Sequence, residues 1–156
     1  MKSLKPQDTA DICDRVLRAT PERRMQVRER IASDYGMEEL PVRSIVSNEI
    51  IRQRKVIVGL LELQTPRGKK EEWEAAQTQL AEGDVQGAIQ SFAELGAKDA
   101  LLSIGEVYRQ SRPEIAMEAF IAGGKAEEAI KILLRFKNAD EETLRWLMNK
   151  LALSLR

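Results

Sequence analysis

The chain has no histidine and a single cysteine among its 156 residues. Without histidine there is no imidazole for acid–base catalysis, no Ser–His or Cys–His nucleophile, and none of the commonest metal ligand. Cys13 alone cannot close an internal disulfide or supply a thiolate metal cluster. Aromatic side chains make up only 4% of the chain. The longest apolar run, residues 56–61, is bounded by Lys55 and Glu62 and falls far short of the ~20 residues that span a bilayer. No apolar stretch of the secretory type occurs in the first twenty residues. These absences lead us to expect a cytoplasmic protein that is not an enzyme and uses no cofactor, metal or membrane contact.

What is present is a globular complement of side chains, 43% hydrophobic and 32% charged. Twenty-five Lys and Arg balance 25 Asp and Glu. The neutrality is uneven along the chain. Residues 1–70 hold 15 basic and 10 acidic side chains, a net of +5, and residues 71–156 hold 10 and 15, a net of −5. The stretch 64–70, with Pro66, Gly68 and adjacent cations, separates the two. We read residues 1–65 as a basic helical region, 66–70 as a linker and 71–156 as an acidic helical-repeat domain.

The acidic part repeats with a period of 28. Shifting it on itself aligns Trp73, Leu101 and Ala129; then Ala76, Ile104 and Ile132; then Leu80, Tyr108 and Phe136. A second set aligns Ala88, Ala116 and Leu144; Phe92, Phe120 and Met148; and Leu95, Gly123 and Leu151. Steps of three and four put each set on one helical face. The spacing predicts first helices near 70–82, 98–110 and 126–137 and second helices near 85–95, 113–122 and 141–153. Gly83-Asp84, Pro113, Asp140, and the pair Gly96 and Gly124 punctuate the pattern in the same phase.

Ala100-Leu-Leu-Ser-Ile-Gly-Glu-Val-Tyr108 followed by Ala116-Met-Glu-Ala-Phe120 resembles a tetratricopeptide repeat. Leu101, Ile104, Gly105, Tyr108, Ala116 and Phe120 fall on its signature positions, and the segments after Trp73 and after Ala126 are similar. The period is shorter than that family's unit. The resemblance implies an all-α chain: three short hairpins stacked as an α-solenoid after a three-helix N-terminal region. It also implies a partner groove lined by the first helix of each pair. Carried over by position, that lining is Glu71, Glu74, Thr78, Glu82, Asp99, Leu102, Glu106, Arg109, Glu127, Ile130, Leu134 and Lys137. Its carboxylates suit a protein partner with a basic segment.

In the basic region three helices are expected, near 8–19, 22–34 and 41–63. The join of the last two resembles a helix-turn-helix. Ala32 takes the small-residue position, Gly36 the turn, and Ile31, Tyr35, Met37, Val42 and Ile45 the locking positions. The match implies that Arg43, Ser44, Ser47, Asn48 and Arg52 face nucleic acid. Against this, Glu38 and Glu39 lie where a phosphate would pass, and Leu40-Pro41 is an unusual start for a reading helix. The third helix carries a wide apolar surface, including Ile50 and Ile57, that reads as a core helix or a homodimer seam.

The remaining candidates have structural explanations. Trp73 falls on a packing column and Trp146 on a capping helix. Glu141 and Glu142 suit a helix start. Gly123-Gly124-Lys125 lacks the rest of a phosphate loop, and Asp84 has no calcium-loop spacing. Cys13, between acidic neighbours, is expected to be a small half-buried side chain. The function expected is an adaptor, chaperone or assembly factor. The alternative is a small DNA-binding regulator that uses the repeats as a partner or dimer domain.

Overall fold

A computed structural model describes residues 4–155. Every regular element among these residues is helical. The α-helices are α1 (Pro6–Leu17), α2 (Arg24–Asp34), α3 (Glu39–Glu62), α4 (Lys70–Ala81), α5 (Val85–Glu94), α6 (Lys98–Tyr108), α7 (Pro113–Ala122), α8 (Ala126–Arg135) and α9 (Glu141–Ser154), with a single 3₁₀ turn at Pro21–Arg23. Two compact units divide the chain at Arg52 and Gln53, inside α3. The charge boundary, between residues 70 and 71, lies further on, at the start of α4.

In the first unit, Ile12, Cys13, Val16 and Leu17 form the buried stripe of α1. With Ile31, Ala32, Val42 and Val46 they make the local core. Pro6 stands in the first turn of α1, where no amide hydrogen is needed, and Asp8 accepts from the Lys5 amide at 3.0 Å. The expected helix from residue 22 starts later, at Arg24. Thr20 makes no side-chain cap, and Pro21–Arg23 is a 3₁₀ turn. The Arg24 guanidinium meanwhile donates to the carbonyls of Leu17 and Ala19, closing the end of α1.

In the second unit most residues of the aligned columns lie in the core. Trp73, Leu101 and Ala129 are buried, as are Ala76, Ile104 and Ile132. Leu80 and Tyr108 are fully buried, while Phe136 is half-buried. Helix α4 packs on α5 and α6 on α7, with slighter contacts between α5 and α6 and between α8 and α9. Helix α7 also packs on α5, α8 and α9, which places it at the centre of the unit. Gly96 and Gly124 end α5 and α7 at φ of 66° and 81°. In each case the amide one residue on reaches back five positions: Ala97 N donates to Phe92 O at 3.0 Å, and Lys125 N to Phe120 O at 2.7 Å. Asp84 accepts from the Gly87 amide and Asp140 from the Thr143 amide, which caps α5 and α9.

The part of α3 from residue 53 onward belongs to this unit and runs antiparallel to both α4 and α6. Against α4, Trp73 Nε1 donates to Leu61 O at 3.1 Å, Gln77 to Val58 O, and Arg54 to Ala81 O. Against α6, Gln53 donates to Ser111 at 2.6 Å and Gln64 to Ser103 at 3.0 Å. Ile57 and Leu61, both fully buried, join the core between these polar contacts.

Candidate functional site

The residues expected to line one groove fall into separate neighbourhoods. Glu71, Glu74 and Glu82 are exposed on α4, and none shares a hydrogen bond or ion pair with the α6 and α8 members; Glu74 pairs instead with Lys70. Asp99 lines a cavity at the start of α6. The space between α4 and α6 receives the chain's own residues 53–64.

Around α6 and α8 the geometry is tighter. Arg109 donates to Glu106 at 2.9 Å and to Glu128 at 2.6 Å, and its guanidinium lies 4.8 Å from the centre of the Phe120 ring. Donating to Glu106 and Glu128 makes Arg109 hold its proton more firmly than usual. The bond from Arg109, with a second from Lys131, keeps the Glu128 carboxyl below its ordinary range. Phe120 lies against Gly105, where a β-carbon would meet its ring at 2.8 Å. Gly105 therefore lets α6 and α7 approach closely, and Arg109 closes the other side of the ring. Arg109 and Glu106 thus have partners within the protein, and Glu128, which sequence reasoning did not single out, joins them.

The last two helices differ from the pairs before them. In the column Phe92, Phe120 and Met148, the first two are 0% and 2% exposed, whereas Met148 is 52% exposed. Ile130 and Leu134 on α8 are 49% and 59% exposed. Leu102, one period before Ile130, is half-buried against the core. Glu127, Glu141 and Glu142 are exposed on the same two helices. The Trp146 ring is half-buried and packs on the core.

In the first unit, Gly36 has φ of 63°, and Met37 N donates across it to Ala32 O at 2.8 Å. Ala32 is buried, and Arg43, Ser44, Ser47, Asn48 and Arg52 are all exposed on α3. Two of these five residues, both arginines, are already engaged by carboxylates. Arg43 and Arg28 both donate to Glu39, and Arg52 donates to Glu49 at 2.9 Å through Nε. The Arg28 bond in particular lowers the Glu39 carboxyl below its usual range. Ile57, expected in a dimer seam, is fully buried, while Ile50 is half-buried.

Neither family models, nor curated proteins, nor solved structures give a match to this chain. Among the described residues there is no cluster of acidic or thiol side chains able to hold a metal ion, and no helix long and apolar enough to cross a membrane. Cys13 is buried, its Sγ lying 3.8 Å from the Ile45 carbonyl. Burial, reinforced by Glu49 and Asp14, pushes its thiol up to about 11, far from the value an activated nucleophile needs.

Proposed function

We propose that this chain is a non-enzymatic interaction module whose last helical pairs form a short tetratricopeptide-like stack. On this reading α4/α5, α6/α7 and α8/α9 are successive hairpins, and a partner segment docks where a further hairpin would pack. The observation that carries the reading is the unequal burial of one repeat column. Phe92 and Phe120 are covered, but Met148 is half exposed, and Ile130 and Leu134 are exposed on α8, the helix before it. An apolar surface that the period covers twice and then leaves open is a surface for another helix. The seating of residues 53–64 against α4 and α6 supports the class of ligand, because the earlier helices of the unit already take an amphipathic helix within the chain. The exposed Glu127, Glu141 and Glu142 favour a basic partner segment. Such a module acts as an adaptor, chaperone or assembly factor.

The test is affinity capture with the full chain against Ile130→Asp and Leu134→Asp. Both side chains are exposed, so the variants keep their fold, and circular dichroism verifies it. The partner is retained by the wild type and lost from both variants. Retention by both variants would place the partner elsewhere.

A second reading, DNA binding through a helix-turn-helix, is favoured by the Gly36 turn and by buried Ala32 between α2 and α3. It predicts duplex binding that falls steeply with salt and weakens in Arg43→Ala and Arg52→Ala. Absence of binding at low salt by the folded chain removes it.

A further inference from the structure

The turn between α3 and α4 and the turn between α5 and α6 enclose a cavity of about 460 Å³. This is within the size range of small-molecule sites. Three cationic side chains, Arg67, Lys69 and Lys98, line it. None of the three has a carboxylate within ion-pair distance, although Lys70, adjacent in sequence, pairs with Glu74. Asp99 is the one acidic side chain in the lining. Three unpaired cations around one concavity repel each other and create a positive potential that an anion relieves.

Two further features belong to the same cavity. Helix α6 starts there without a side-chain cap on Ala97, and the amides of Asp99 and Ala100 have no protein acceptor. The Gln64 side chain lines the cavity too, and its Oε1 is buried with no hydrogen-bond partner. The other end of that amide, Nε2, donates to the Ser103 hydroxyl at 3.0 Å. The rest of the lining is largely apolar, with Pro66, Trp73, Leu95 and Ala97.

We infer that this cavity binds a small organic phosphate monoester, its dianionic end held by Arg67, Lys69 and Lys98 and its organic body laid against the apolar lining. A guanidinium and two ammonium groups match a phosphate dianion better than a singly charged carboxylate. The site is independent of the partner surface on α8 and α9.

The experiment is a titration of the ¹⁵N-labelled full chain with phenyl phosphate at low salt, followed by amide shifts. Saturable shifts confined to residues 67–69 and 96–100 are expected, with affinity falling as salt is added. Arg67→Ala and Lys98→Ala each weaken binding by about tenfold, the loss expected for one charge-assisted contact. Both residues are exposed, so neither change threatens the fold. Inorganic phosphate and benzoate both bind more weakly than phenyl phosphate, the first for want of the organic body and the second for want of charge. Shifts that do not saturate, shifts spread over the basic surface generally, or unchanged affinity in both variants would overturn the site. Equal affinity for inorganic phosphate or for benzoate would overturn the class of ligand.

Discussion

Truncating the same repeat column at two positions separates a covered site from an open one. Phe120 is 2% exposed, its ring pressed on Gly105 and covered by the Arg109 guanidinium at 4.8 Å. Removing a buried phenylalanine to alanine costs about 3–5 kcal/mol, and the lost cation–π contact is within that range of effects. Alanine returns roughly 0.5 kcal/mol as the better helix former. The net for Phe120→Ala is a loss of about 3–4 kcal/mol. Met148 is 52% exposed, so it recovers only about half of the ~2 kcal/mol that full burial of a methionine gives. After the helix-propensity gain, Met148→Ala costs below about 1 kcal/mol. Urea unfolding followed by circular dichroism measures both. With a slope near ~1.5 kcal/mol per molar, the midpoint falls by about 2 M for Phe120→Ala and by roughly 0.5 M or less for Met148→Ala. Equal losses would refute the reasoning, because they would mean that the last column position is as covered as the one before it.

Two further outcomes follow from the same contacts. Gly105→Ala places a β-carbon 2.8 Å from the Phe120 ring, so overpacking of about 1–3 kcal/mol outweighs a helix gain of about 1 kcal/mol and the protein is destabilised. Gly59→Ala meets nothing within 4 Å and stabilises by about 0.5–1 kcal/mol, so thermal melts of the two variants move in opposite directions; movement in the same direction contradicts the close approach of α6 and α7. Cys13 holds its proton to about pH 11 in the folded chain against about 9 when unfolded. The folded state therefore binds more protons than the unfolded chain between those values, and stability declines as pH rises through that window. Iodoacetamide labelling at pH 8 is correspondingly slow in the native protein, and a rate equal to that of the urea-unfolded chain would show the thiol to be free.

Helix positions and the repeat columns were legible because they rest on local periodicity and on single punctuating residues. Gly96 and Gly124 stop helices where a 28-residue shift places them, and Asp140 caps α9 with its own side chain. The seating of α3 on α4 and α6 was not legible. It depends on pairs such as Gln53 with Ser111, 58 residues apart, and polar side chains at helical spacing read as solvated until their partners are known. The only local sign is that Gln53, Ile57, Leu61 and Gln64 share one helical face. The candidate groove suffered from the same limit. Position in the repeat put Glu106 and Arg109 on the expected groove, but it could not show that they pair with each other or that Glu128 and Phe120 engage Arg109 from within. The start of α2 differed for a local reason, since Arg24 is drawn to the end of α1 and Thr20 makes no cap.

The central proposal is that the helical pairs from α4 to α9 share one continuous core. Trp73 lies on the first of these helices and Trp146 on the last, so Trp146→Phe and Trp73→Phe leave a single fluorophore at each end. Urea unfolding of the two variants by tryptophan fluorescence, each referred to its own circular-dichroism curve, is the most direct measurement. A shared core predicts that fluorescence and circular dichroism of the second unit coincide in both variants. Separate transitions at the two ends would contradict it.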